Sequence, residues 1–342
     1  MLKKKGVILY GNRKIEICDL PLKKLKSNQI LIEIKAAGIC GSDLHLYRSN
    51  KKKLGARYGQ VIGHEPSGQI IHKGIGVKKF NEGDRVTINH IIGCDNCKYC
   101  FQGETVLCSK NKGIAAVGYG GDTNYLILPE NSCIPLHKRI SYVDGTFVAC
   151  TGGTAYNAAK LAISGPVRNV AVFGLGPVGI STLLILNKFG VNSIGIDPND
   201  KRRKFAHSIG VKNVKNFDTV KKLINSSINK EGFCSSIETS GSKEAQSRAI
   251  DILSPRGLAV YVGLSNGLPT ISPEQIIHKQ ISMRGSKVLS SAMAIEMMNF
   301  MVNNKFTFEK LVINKFQLED APEAFDMFDK GMPGKFIFLP NP

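Results

Sequence analysis

The sequence predicts an α/β protein of two domains, one β-rich and the other a doubly wound parallel sheet covered by helices. Three observations predict it. The first ~150 residues carry short alternating apolar segments broken by glycine. From about Gly153 onward, strand-like and helix-like segments alternate. A G-x-G-x-x-G turn stands where one of those strands runs into a helix. A chain of 342 residues is long enough for two ordinary cores.

Residues 1–11 read MLKKKGVILYG. Their apolar block, 7–10, is too short for a secretory core, so the chain reads as unexported and cytoplasmic, opening on an edge strand. Residues 30–37, 61–72 and 84–88 continue the β-rich part, with Gly38, Gly41, Gly59, Gly63, Gly68, Gly74 and Gly76 as punctuation. Residues 155–163 read as a helix. Candidate strands follow at 170–174, 193–197, 236–240, 258–263 and 281–285, with helix-period spacing at 178–189 and 201–209. Helical pattern returns at 292–302 and 321–328, and residues 335–339 form a last strand. The division expected is 1–151 with 289–342 for the β-rich domain and 152–288 for the parallel sheet.

The strand at 170–174 leads into Gly174-Leu175-Gly176-Pro177-Val178-Gly179. The first glycine permits a tight turn, the second lets backbone approach a pyrophosphate, and the third lets helix and strand pack closely. Amides at the helix N-terminus then face the phosphates. Asp197 ends the next strand, 18 residues after Gly179. A carboxylate there accepts from an adenosine ribose and repels a 2′-phosphate, which favours NAD over NADP. Arg202 and Arg203 stand close by as cations that can offset that repulsion.

Nine cysteines, an odd number without an export signal, argue against a disulfide framework. Cys94, Cys97, Cys100 and Cys108 crowd into one loop, a lobe at about 90–112. Four thiolates this close can surround one tetrahedral zinc, with every position filled by protein and hence a structural role. An iron–sulfur cluster shares the opening Cys-x-x-Cys-x-x-Cys, but its fourth cysteine usually comes sooner and precedes proline; here Ser109 follows Cys108. Cys40, His64 and Cys150 are dispersed, and spacing alone does not connect them.

The net charge of +19 raises nucleic acid or an anionic surface as partner. The lysines are spread along the whole chain and are not interleaved with aromatics, so a solvated basic surface is expected, with no specific nucleic-acid partner. No apolar run approaches the ~18 residues of a membrane span. Cys18, Cys133 and Cys234 read as ordinary thiols, and His72, His90, His137, His207 and His278 lack ligand spacing. The methionines within 292–301 read as a packing face.

The segments Gly38-Ile39-Cys40-Gly41-Ser42-Asp43-Leu44-His45 and Gly63-His64-Glu65, the four-cysteine lobe, and the glycine turn followed by Asp197 occur in this order. At these separations the chain, from about Ile30 to its C-terminus, resembles the zinc-containing alcohol dehydrogenases of the medium-chain dehydrogenase/reductase family. The resemblance implies a GroES-like catalytic domain, a Rossmann NAD-binding domain inserted into it, and an active site in the cleft. It implies two Zn2+ per chain. Cys40, His64 and Cys150 would hold the catalytic ion and leave a fourth position open. Ser42 would accept the alcohol proton and His45 pass it to solvent; the plain reading of His45 is a surface imidazole. Asp43 would orient His64. Thr154 would lie near the nicotinamide and Lys335 would serve the pyrophosphate. The implied activity is reversible oxidation of a secondary alcohol, polyol or sugar alcohol. An L-threonine or sugar dehydrogenase is the alternative, and a non-catalytic zinc- and nucleotide-binding protein a remoter one. A dimer or tetramer is implied as well. Two features pull apart. Glu65 after His64 and the Gly-Ser-Asp-Leu-His segment resemble the polyol and secondary-alcohol branch, whereas Cys150 resembles the simple alcohol dehydrogenases. Gly41 stands where some members carry a basic residue toward the pyrophosphate.

Overall fold

The computed structural model describes residues 2–167, 169–226, 232–264 and 267–341. It divides into two compact units, Met1–Gly153 with Leu289–Pro342, and Thr154–Val288.

The first unit is built on a seven-stranded sheet. Its order is Cys133–Pro135, Arg85–Ile88, Glu65–Lys73, Gln29–Gly38, Lys335–Phe338 and Val312–Phe316, with Tyr125–Pro129 also paired to Gln29–Gly38. The central strand is buried along most of its length because both faces are covered, and Ile30, Ile32 and Ile34 are wholly inaccessible. The C-terminal strand pairs antiparallel beside it, Ile337 opposite Gly38. This is how 54 residues from the far end of the chain complete a domain begun at the N-terminus.

Two expectations change here. Residues 61–72 are not one segment: strand Gln60–Val61 stops, Gly63 takes φ +91°, and Glu65–Lys73 begins afresh. Only glycine adopts that φ freely, so the break is local chemistry at the residue before His64. The N-terminal strand Lys4–Gly11 is not an edge either. It lies between Lys14–Leu20 and Gln60–Val61, because the hairpin at Gly11–Lys14 folds the next strand onto its free side. Met1 lies outside the described residues.

Helix Tyr142–Ala149, absent from the sequence reading, is capped by Ser141, whose hydroxyl accepts from Asp144 N–H at 3.0 Å. Phe147 on this helix stacks on Phe308, with centroids 5.0 Å apart and planes 9° from parallel. Asp144 accepts from Thr307 Oγ1 and Phe308 N–H, both at 2.8 Å. These contacts tie the helix to the C-terminal segment.

The second unit is a six-stranded, all-parallel sheet. Its order is Val214–Lys215, Asn192–Ile196, Asn169–Phe173, Phe233–Glu238, Leu253–Tyr261 and Ser282–Gly285. Chain order therefore reads 3-2-1-4-5-6, the Rossmann order, which reverses beside the first strand. Val170, Ala171 and Val172 are fully buried between helical layers. No helix among the described residues is long and apolar enough to cross a membrane.

Candidate metal centres and nucleotide site

Strand Gln29–Gly38 delivers Cys40 to the N-cap of helix Gly41–Arg48. Asp43, in the first turn, bends back and accepts from Cys40 N–H at 2.9 Å. Its other oxygen lies 3.0 Å from His64 Nδ1. With Nδ1 engaged, Nε2 is the nitrogen left to face an ion. Cys150 arrives from the opposite direction, as the residue that ends helix Tyr142–Ala149 with φ −148° and ψ −74°. The ligand atoms of Cys40, His64, Glu65 and Cys150 all lie within 4.8 Å of one another. Cys150 donating to Cys40, together with His64 and Lys335, draws the Cys40 thiol well below its ordinary range despite burial. A thiolate, a second thiol and an imidazole converging this closely fit a zinc ion.

Glu65 is fully buried at the base of this cluster. One oxygen accepts from Thr151 Oγ1 at 2.8 Å, and the other faces Lys335 Nζ at 2.5 Å. Lys335 also donates to Thr151 Oγ1 at 2.9 Å. Burial pushes the Glu65 carboxyl up to about 7 against the opposing pull of Lys335. Burial disfavours the Lys335 charge too, but Glu65 and Cys40 outweigh it and hold the ammonium above the ordinary lysine value. Gly38 makes room for the pair: a Cβ there would come within 2.6 Å of Glu65 and 2.9 Å of Lys335. Lys335 lies deep in this arrangement. Its side chain has no accessible surface, and its ammonium is engaged by Glu65 and Thr151.

Ser42 and His45 are both exposed on helix Gly41–Arg48, three residues apart and hence on one face. Three neighbours were missed in the sequence. His90 lies with its ring centroid 5.0 Å from that of His64, and its Nδ1 is 2.9 Å from Ala149 O. Thr151 forms the buried triad just described. Asp122 is fully buried with neither carboxylate oxygen hydrogen-bonded among the described residues. Burial, with Asp43 close by, holds its carboxyl well above the usual range. Of the three only Thr151 carried a signal, its place directly after Cys150.

The four-cysteine lobe closes on itself. Its base is the short hairpin Ile91–Ile92 with Lys112–Gly113. The sulfurs of Cys94, Cys97, Cys100 and Cys108 lie within 4.8 Å of one another, and none of the nine cysteines is in a disulfide. Cys108 is buried beneath the loop, and a Cβ on Gly93 would strike Cys100 Sγ at 2.5 Å. Four sulfurs leave no open position on a tetrahedral ion.

In the parallel-sheet unit, Gly174 has φ +90° and Gly176 is the N-cap of helix Pro177–Lys188. A Cβ on Gly179 would lie 1.8 Å from Gly174 O, so the helix can approach the turn only with glycine there. Asp197 is buried; it accepts from Leu175 N–H at 2.8 Å and Asn199 N–H at 2.7 Å. Arg202 stands 3.7 Å from the same carboxylate, whereas Arg203 is engaged by Asp200 and the carbonyls of Asp197 and Pro198. Val178 is half-buried in the first turn of the helix, and Thr154 is buried on helix Thr151–Ala162.

Residues 26–138 match the alcohol dehydrogenase GroES-like domain, and residues 177–303 match the zinc-binding dehydrogenase family. The chain is 31% identical over 341 residues to YphC, an uncharacterised zinc-type alcohol dehydrogenase-like protein of Escherichia coli K12, covering 96% of each. It is 26% identical to an L-threonine 3-dehydrogenase of Shewanella sp. W3-18-1, over 96% of this chain and 97% of that one. The structure of the alcohol dehydrogenase TADH from Thermus sp. ATN1 superposes with a TM-score of 0.86 at 26% identity, over 98% and 99% of the two chains. With a GroES-like unit, a parallel nucleotide-type sheet and these relatives, the chain belongs to the zinc-type alcohol dehydrogenases of the medium-chain dehydrogenase/reductase family.

Proposed function

We propose that this protein oxidises a small secondary alcohol, polyol or sugar alcohol to its carbonyl, reversibly, with NAD as hydride acceptor. The observation that carries the reading is the convergence of Cys40, His64 and Cys150 with Asp43 fixed on the far nitrogen of His64. A three-ligand set leaves one position for substrate, unlike the filled set in the lobe. Zinc held there supplies a Lewis acid that makes a bound hydroxyl acidic near neutral pH.

The remaining work belongs to side chains. Asp43 holds the His64 tautomer and orientation. Ser42 takes the substrate hydroxyl proton, and His45, one turn further along the same helix, hands it to water. Glu65 and Lys335 neutralise each other beneath the ligands, so the site carries neither as a bare charge. The glycine turn and the N-terminus of helix Pro177–Lys188 receive the pyrophosphate, Asp197 the adenosine ribose, and Thr154 the nicotinamide end. Cys94, Cys97, Cys100 and Cys108 hold a second, structural zinc. The chain self-associates as a dimer or tetramer. Edge strand Ser282–Gly285, exposed at all four residues including Met283, is the surface that supports this, and sedimentation velocity tests it.

The test is NAD+ reduction by zinc-loaded protein across primary alcohols, secondary alcohols, polyols and L-threonine. Turnover of one class carries the reading; none, with zinc and NAD bound, sinks it. L-threonine belongs in the panel because relatives of similar length bear that activity in their names.

A further inference from the structure

We propose that the concavity around His45 is a binding site for the phosphate group of a small molecule, lined by none of the metal ligands. Its volume is about 310 Å³, and Asn12, His45, Arg48, Ser49, Asn50 and Lys53 line it. That lining holds two permanent cations, an imidazole, two amides and a hydroxyl, and no carboxylate. Asp329, which pairs with Arg48, is shared with Arg13, so two guanidiniums answer one negative charge and positive charge is left over. The Lys53 ammonium makes no ion pair among the described residues. Arg48 gives Nε and Nη2 to Asp329, which leaves its other terminal nitrogen and the Lys53 ammonium to face the several acceptor oxygens of a phosphate dianion.

One wall of the site is built under strain. Gly11, Asn12 and Arg13 have φ of 73°, 51° and 62°. Glycine and asparagine accept the left-handed region, but arginine does so at a cost. The turn persists because neighbours over-determine it. Asn12 N–H donates to Ser49 O and Arg13 N–H to Tyr47 O, both at 2.8 Å. Arg13 Nε donates to Asp329 at 2.8 Å, and a Cβ on Gly11 would lie 2.1 Å from Ser49 O. The result is that Asn12 is pressed against the end of helix Gly41–Arg48, beside Arg48 and His45. Across the pocket, Asn50 caps the next helical turn by accepting from Lys53 N–H at 2.9 Å, which fixes where Lys53 departs. Strain maintained in this way concentrates at binding sites.

The same chemistry has two sources, free phosphate and a phosphomonoester. Both are tested by calorimetric titration of the zinc-loaded protein at fixed ionic strength, with inorganic phosphate in one arm and glycerol 1-phosphate in the other. One saturable site is expected. Lys53→Glu should weaken it about ten-fold or more, the scale for reversing a partly screened charge at a contact. Lys24→Glu, an exposed charge outside the pocket, should leave it unchanged. Tighter binding of the ester assigns the site to an organic phosphate, and equal or weaker binding assigns it to the free ion. Heat that never saturates, or equal weakening in the two variants, overturns the proposal as diffuse surface charge. Because binding is read without turnover, failure of the dehydrogenase reading leaves this result intact, and the reverse holds too.

Discussion

The two cysteine clusters of the catalytic-type unit are made of similar atoms and built in opposite ways. The lobe draws four sulfurs from one loop of 15 residues, Cys94 to Cys108. The other cluster draws Cys40, His64 and Cys150 from three separate elements, and depends on Asp43, Glu65, Thr151 and Lys335 behind them. The first needs only a short chain to close. The second exists only when the whole sheet, including its C-terminal strand, has assembled. The difference teaches that a closed site can be local, whereas an open one has to be held from outside, because a missing fourth ligand cannot restrain the other three.

The largest expected effect separates the clusters by chemistry. Cys40→Ser should lower alcohol turnover by on the order of 10³-fold or more and reduce bound zinc from two to one, with the circular dichroism spectrum unchanged. Cys100→Ser should also lose one zinc but spare most of the turnover per folded molecule. Its expected cost is stability, a melting temperature on the order of 5–10 °C lower. Equal loss of turnover in both variants would erase the distinction between the sites.

Next comes the support beneath the open cluster. Lys335→Met should destabilise the protein by about 3 kcal/mol, because it leaves the Glu65 carboxylate buried without its cation. Denaturant unfolding measures this, and the double variant Glu65→Gln with Lys335→Met should recover part of the loss. If the single and double variants are alike, the pair contributes nothing to holding the ligands.

The smallest effect is a pH dependence in the helix that ends on Cys150. Burial raises the Asp144 carboxyl to about 6, despite the bonds from Phe308 N–H and Thr307. The folded state therefore retains this proton where the unfolded chain, with a carboxyl near ~3.9, has released it. Stability from this group is full below about pH 4 and is lost as pH rises through about 6. Melting curves of Asp144→Asn against the parent across that window read it out. Parallel curves would exclude Asp144 from the stability of this helix.

Much of the architecture was legible in the residues. Apolar periodicity and glycine turns are local signals, and strands Asn169–Phe173 and Asn192–Ile196 fall within a residue of where they were expected. Helix Tyr142–Ala149 was not read, because it is buried almost all round, Asp144 and Thr146 included, and shows no amphipathic period; the signal available was Ser141 as its cap. The pairing of Lys335 with Glu65 was not read, because a lysine looks like a surface cation until a buried carboxylate is placed opposite it.

By itself, then, the sequence determined the alternating β/α half, the glycine turn and the four-sulfur lobe. Each depends on residues near one another in the chain, where the spacing of side chains along the backbone sets their spacing in space. Only the tertiary structure decided that Cys40, His64 and Cys150 meet, that Lys335 answers Glu65, and that a strained hairpin presses Asn12 against the end of the Cys40 helix. Those contacts join residues up to 270 positions apart, Glu65 to Lys335, and no local propensity encodes such a distance. The burial of a shared core brings them together.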